Sequence, residues 1–224
     1  MKTPRIDIGS IRREQIVDAA VAVIAEQGLQ NLSLSEIENK VGMSRGQLTY
    51  YFKAKEDILL AVFDRLLDMI CRRQGGDPKR PPDEHPFAKM RWLEVVEHLL
   101  EMILHKPNLN PEFGSLQYTF LSQIGHREDF RGRLAKLYEE WRSHGMEHLR
   151  RDLEERPAVR PVSPRALATL VQAILHGLAM QAAVDADAIN AGEMAQLCLD
   201  MLRTYLWAGS PSRKKKLLRS NAER

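Results

Sequence analysis

Only two cysteines, Cys71 and Cys198, occur in the 224 residues, far apart and in no paired spacing. Neither a disulfide framework nor a zinc module can be read from them, and a reducing compartment, the cytoplasm, is the expectation. Eleven prolines and 13 glycines against 44% hydrophobic residues exclude collagen-like repetition and bulk disorder. No uninterrupted apolar run approaches the roughly 20 residues of a membrane helix, and the opening MKTPRIDIGS is polar, so neither secretion nor a membrane partner is expected. Alternating strand patterns, hairpin turns and internal repeats are missing. So are a phosphate-cradling glycine loop, a nucleophile elbow and a local Cys/His signature, so no enzyme and no cofactor are expected. His144 and His148 have a two-ligand helical spacing but no third ligand nearby and no His-Glu-x-x-His form, which favours solvated histidines over a metal site.

The formal charge of +3 is unevenly placed. Arg213 to Arg224 holds six basic residues against Glu223, a net +5, while the other 212 residues hold 27 basic and 29 acidic residues, a net −2. Any case for nucleic acid therefore rests on local patches.

Apolar residues recur at helical spacing almost throughout. Ile16, Ala19, Ala20, Val23 and Ile24 share one face of a helix spanning roughly 11–27, with Gly28 as its stop. Ser33 and Glu36 form a capping-box pattern before a short helix at 34–41. Gly42 then permits a tight turn, and Ser44 with Gln47 opens a second short helix at 45–51. A long helix follows from near Lys55 to Arg72 and Arg73. Residues 74–86 combine glycine, proline and charge as a linker should. Further helices are expected at 87–105, 111–125, 127–155, 163–184 and 190–208. The fold class is all-α, with about nine helices: a three-helix head at 1–57 whose first ten residues are flexible, a larger helical domain at 58–210, and a disordered basic tail at 211–224.

The two short helices fit a helix-turn-helix, in which the second helix enters the DNA major groove. At 100° per residue Ser44, Leu48, Tyr51 and Phe52 fall on one mostly apolar side, and Arg45, Gln47, Thr49 and Tyr50 on the other. Arginine can bridge guanine O6 and N7, glutamine can bridge adenine N6 and N7, and threonine can meet a thymine methyl. Tyr50 suits phosphate, as do Ser33 and Lys55 at helix N-termini. From Lys40 to Lys55 the sequence has four basic residues and no acid. A helical carrier of apolar ligands, or a helical adaptor, would fit the all-α pattern but would not need that window.

The segment from Arg12 to Asp68, above all VGMSRGQLTYYFKAKEDIL, resembles the DNA-binding domain of the TetR family of bacterial transcriptional regulators. The resemblance implies a homodimeric, ligand-responsive regulator of double-stranded DNA, more often a repressor. It implies DNA contacts at Ser33, Ser44, Arg45, Gln47, Tyr50 and Lys55. Thr49 stands where members often carry tyrosine, and Glu38 where a small residue is usual, so Glu38 is expected to point away from DNA. The remainder is similar to the regulatory domain of the BetI-like branch, through Leu137 to Arg142 and Ile174 to Gln181.

In that second region the helix near 163–184 is apolar on several sides, and the last helix has a matching surface. Leu167, Val171, Ile174, Gly177, Leu178, Leu202 and Tyr205 are expected at a two-fold interface with a second copy. Trp92, Gln117, Phe120, Trp141, His176 and Met180 are the candidates for contact with an unidentified small-molecule effector. Three readings of the basic tail remain open: a solvated end, a phosphate anchor or a membrane-surface patch. Disorder without DNA contact predicts that truncation after Gly209 leaves the salt dependence of DNA binding unchanged. A slope shallower by about one per lost phosphate contact would show that the tail is an anchor.

Overall fold

The computed structural model describes residues 7–73, 87–105, 111–185 and 187–208. Among them lie nine α-helices and no strand: α1 Ile8–Gln27, α2 Leu34–Val41, α3 Arg45–Tyr51, α4 Lys55–Arg73, α5 Trp92–His105, α6 Pro111–Leu121, α7 Glu128–Glu155, α8 Pro164–Val184 and α9 Ala191–Trp207. The linker expected at 74–86 and the tail expected at 211–224 lie outside the described residues. The chain divides into two compact units, Met1–His85 with Asn108–Tyr138, and Pro86–Pro107 with Glu139–Arg224.

In the first unit α1 buries the face its spacing marks, with Ile16, Ala20 and Val23 fully inaccessible. It begins at Ile8 rather than near 11, so residues 8–10, expected to be flexible, are helical, because Asp7 caps the start by accepting from the Ser10 amide at 3.1 Å. Gly28 ends it at φ 83°, a conformation that other residues rarely hold. α1 packs against α2, α4 and α6, and α4 packs against α6. Phe63 of α4 stacks on Phe130 at 4.6 Å and lies 5.1 Å from Phe120, forming an aromatic core where three helices meet. Arg127 lies 4.2 Å over the Phe130 ring, and its hydrogen-bonded ion pair with Asp129 lowers the pKa of that carboxyl to about 2.

In the second unit Trp92, Val96 and Leu100 of α5 pack with Val171, Leu175 and Leu178 of α8 and Leu199, Leu202 and Leu206 of α9. α5 begins at Trp92 rather than near 87, because Asp152 of α7 accepts from the Trp92 amide at 2.9 Å and Glu94 accepts from the Arg91 amide at 2.8 Å. Those carboxylates satisfy first-turn donors that have no partner within the helix. α6 stops at Leu121 rather than 125, and the chain turns over Ser122–His126. α8 is long and apolar enough, at mean hydropathy 1.5 over 18 residues, to cross a membrane by length and composition alone. Its apolar character serves two faces here. Leu167, Val171, Leu175 and Leu178 are buried, while Leu170, Met180 and Val184 are exposed.

Trp141 of α7 and His176 of α8 meet with ring centres 6.0 Å apart. Burial lowers the His176 pKa below its ordinary 6.5. The unfolded chain therefore takes up this proton first, and stability present above pH 6.5 falls as the pH drops below it. Urea midpoints at pH 7.5 and 5.5 are expected to show that loss, and His176→Gln is expected to reduce it. An equal loss in both chains would assign the acid sensitivity elsewhere.

Candidate nucleic-acid interface

Two short helices meet at Gly42, which sits in the left-handed region at φ 68° and donates its N–H to the Glu38 carbonyl at 2.9 Å. Met43 donates to the same carbonyl at 3.2 Å, closing the turn. Ser44 then begins α3 with both halves of a capping box: its amide donates to Gln47 Oε1 at 3.0 Å, and its hydroxyl accepts from the Gln47 amide at 3.4 Å. At the start of α2 one half is formed, with Ser33 Oγ accepting from the Glu36 amide at 3.1 Å. Leu48 is fully buried and Phe52 is 2% exposed. Arg13 of α1 closes the far end of α3, donating to the Tyr51 carbonyl with its guanidinium 4.1 Å over the Phe52 ring. That end borders an open groove of about 360 Å³, lined by Arg13, Phe52, Lys53, Asp57, Leu60 and Asp64 among others.

With Leu48 inward, Ser44, Arg45, Gln47 and Tyr50 are exposed and Thr49 is half-buried. Tyr50 reaches 74% exposure, its ring edge-on to Tyr51 at 5.0 Å. Ser33 and Lys55 are half-buried at the N-termini of α2 and α4. Several of these groups already have partners. Gln47 Oε1 belongs to the cap. Thr49 Oγ1 donates to the Arg45 carbonyl of its own helix at 2.9 Å, so its hydroxyl is already engaged. Glu38 does not turn into solvent. Its carboxylate lies on the Arg45 guanidinium, and Ser35 Oγ accepts from the same group at 3.0 Å. Lys40 pairs with Glu26 of α1 at 2.6 Å. The window that is free of acid in sequence is therefore not free of acid in space. Among the described residues Lys53 and Lys55 are its cations without an ion-pair partner.

The residues expected at an effector site are divided between the units. Gln117 lies in α6 and Phe120 in the aromatic core of the first unit; Trp92 belongs to the α5–α8–α9 core of the second. Trp141 and His176 touch, and Met180 of the same helix is 51% exposed. No cavity wide enough for a water molecule opens among Val96, Leu100, Val171, Ile174, Leu175, Cys198 and Leu202. On α7, Glu139 accepts from Arg165 at 2.5 Å and from Arg142 at 2.8 Å, and these cations lower the pKa of its carboxyl to about 2.

The expected interface residues also separate. Leu167, Val171, Leu178 and Leu202 are 4–8% exposed and belong to the chain's own core, so they cannot present a face to a second copy. Ile174 and Gly177 are half-buried, and Tyr205 is 42% exposed. The outward stripe is instead Leu170, Ala173, Gly177 and Met180 on α8, with Leu197, Met201 and Tyr205 on α9. Its spacing of three and four residues matches the core stripe, rotated around the helix.

Residues 16–62 match the family model described as bacterial regulatory proteins, tetR family. Residues 92–206, just over half of the chain, match that of the BetI-type transcriptional repressor, C-terminal. The HTH-type transcriptional regulator BetI 1 of Chromohalobacter salexigens is 24% identical over 208 residues, 91% of this chain and 94% of that protein. The fatty acid metabolism regulator protein of Bacillus subtilis is 42% identical over 95 residues, 42% of this chain and 47% of that one. A transcriptional regulator from Saccharomonospora viridis, solved in complex with choline, shares the fold with a TM-score of 0.66 at 21% identity, covering 88% of this chain and 98% of that one.

The two hydroxyls of the reading helix are expected to differ in their effect on stability. Ser44→Ala removes a cap and should cost about 1 kcal/mol in urea unfolding, whereas Thr49→Val removes only a bond within the helix and should stay within about 0.5 kcal/mol. Equal effects would mean that the cap is not what holds α3.

Proposed function

Because the chain belongs to the TetR family of bacterial regulators, with a BetI-type repressor C-terminal domain, we propose that it is a repressor. In this reading it binds operator DNA as a homodimer and leaves it when a small molecule binds. The observation that carries this is the capped α3, which is held by Leu48 and leaves Ser44, Arg45, Gln47 and Tyr50 exposed, with Thr49 half-buried beside them. Arg45, Gln47 and the Thr49 methyl meet base edges in the major groove. Tyr50, Ser33, Ser44 and Lys55 hold phosphate, the last of these where the N-terminus of α4 adds backbone N–H donors. Residues 1–57 serve as the reading head and 58–210 as the regulatory and dimerising part, acting in the cytoplasm.

A second copy covers the stripe of Leu170, Ala173, Gly177, Met180, Leu197, Met201 and Tyr205, pairing α8 and α9 with their counterparts. Two-fold symmetry then sets two reading helices about 34–36 Å apart, one turn of duplex. The effector acts around Trp141 and His176. The choline bound to the Saccharomonospora viridis protein makes choline the first compound to try. An effector shifts the equilibrium only by binding the DNA-free arrangement more tightly.

Sequence selection from genomic fragments with the purified protein is expected to enrich a two-fold symmetric site, and no enrichment would overturn the DNA reading. The interface has its own test. Met201→Glu is expected to give a monomer by light scattering at micromolar concentration that keeps its helical circular dichroism, with a lower melting temperature because the partner's stabilisation is lost. Leu202→Glu, one residue on, is expected to unfold the chain because it buries a charge. A dimer that survives Met201→Glu would move the interface elsewhere.

A further inference from the structure

The Arg45 guanidinium is the group best suited to read guanine, yet most of it is already engaged. Its Nε and Nη2 donate side-on to the two oxygens of Glu38, and Nη2 also donates to Ser35 Oγ at 3.0 Å. That accounts for three of the five N–H bonds of the group. Only Nη1 is left, one nitrogen where the bidentate contact with guanine O6 and N7 takes two.

Glu38 is well placed to hold it. Its backbone carbonyl accepts from both Gly42 and Met43, so the residue is fixed by the turn itself. Its side chain is 17% exposed, against 52% for Arg45. A planar carboxylate with two oxygens offers the arginine fork what a phosphate or a guanine edge offers.

We propose that Glu38 is an internal competitor of DNA for Arg45: an affinity-setting residue whose carboxylate must be displaced before Arg45 can contact either a phosphate or a base. The proposal rests on the DNA-binding reading above. It makes Arg45 nearly silent in the electrostatic attraction that draws the head to any duplex. Each protomer then neutralises about one phosphate fewer than its positive groups would suggest. The latch is exposed enough to open, since pairs of this kind are individually weak.

The test compares the full-length protein, Glu38→Gln, Arg45→Ala and the double variant on one mixed-sequence 30-base-pair duplex, across a potassium chloride series, with melting temperatures as the folding control. Glu38→Gln keeps the shape of the side chain and removes its charge. It is expected to bind about 2–5-fold more tightly, the range in which exposed ion pairs fall. The plot of log K against log salt should steepen by about one for each protomer on the DNA. Both changes should disappear in the Arg45→Ala background, where a change due only to repulsion between Glu38 and phosphate would persist. Unchanged affinity and slope in Glu38→Gln would overturn the latch, and so would weaker binding, which would make Glu38 a support that aims Arg45. If neither the full-length protein nor Glu38→Gln binds the duplex at the lowest salt, the DNA reading falls and the latch falls with it. Binding by the native chain together with an inert Glu38→Gln removes the latch alone.

Discussion

A seven-residue helix does not form by itself in water, since nucleation costs more than so few hydrogen bonds return. α3 exists because Leu48 is fully buried against its neighbours and because Ser44 and Gln47 satisfy the donors of its first turn. Everything else in the reading head follows from this anchoring. Once Leu48 points inward, the 100° step of the helix decides that Arg45, Gln47 and Tyr50 point outward. Gly42 makes the angle between α2 and α3 possible, and Arg13 holds the far end by gripping a carbonyl and an aromatic ring together. The short helix is thus rigid where it must be positioned and polar where it must be available.

Availability is nevertheless qualified by the partners these side chains already have. In water a neutral hydrogen bond contributes a net of about 0.5–1.5 kcal/mol, and one to a charged group about 1.5–3 kcal/mol, so a group tied to its own fold gains little by moving to a weakly matching surface. Gln47 Oε1 serves the cap, Thr49 Oγ1 bonds its own helix, and Glu38 occupies Arg45. A duplex must replace these bonds rather than satisfy empty ones. The head is consequently less basic than its sequence suggests, with Lys40 also neutralised by Glu26.

What could be read from the sequence was local. The buried face of α1, the turn at Gly42, the cap at Ser44 and the inward Leu48 each depend on residues within eight positions of one another, and spacing reveals such features. The start of α5 was not legible, because it is set by Asp152, 60 positions away. The partners of Lys40 and Arg45 were missed because they lie on other helices: Glu26 on α1 is 14 positions from Lys40, and Glu38, though only seven positions from Arg45, is brought to it by the angle of the turn at Gly42, which spacing does not give. Periodicity showed that α8 is apolar on several sides without showing which stripe is internal. Leu170 and Leu178 are the same residue type, and the packing of α5 and α9 decides that one is 49% and the other 7% exposed.

The outward stripe of α8 bears on the proposed dimer through one residue. Gly177 lies in the middle of that stripe, and among the described residues a Cβ added there would meet nothing within 4 Å outside its own helix backbone. Glycine inside a helix costs roughly 0.5–1 kcal/mol relative to alanine, and no contact among the described residues accounts for that cost. A close approach by another backbone would. Leu170 and Met180 flank the glycine along α8, and the exposed Leu197, Met201 and Tyr205 repeat along α9 at intervals of four. In the proposed dimer, large residues of one copy would lie against the gap left by the small residue of the other, and such a covering would account for both the hydropathy of α8 and the position of its glycine.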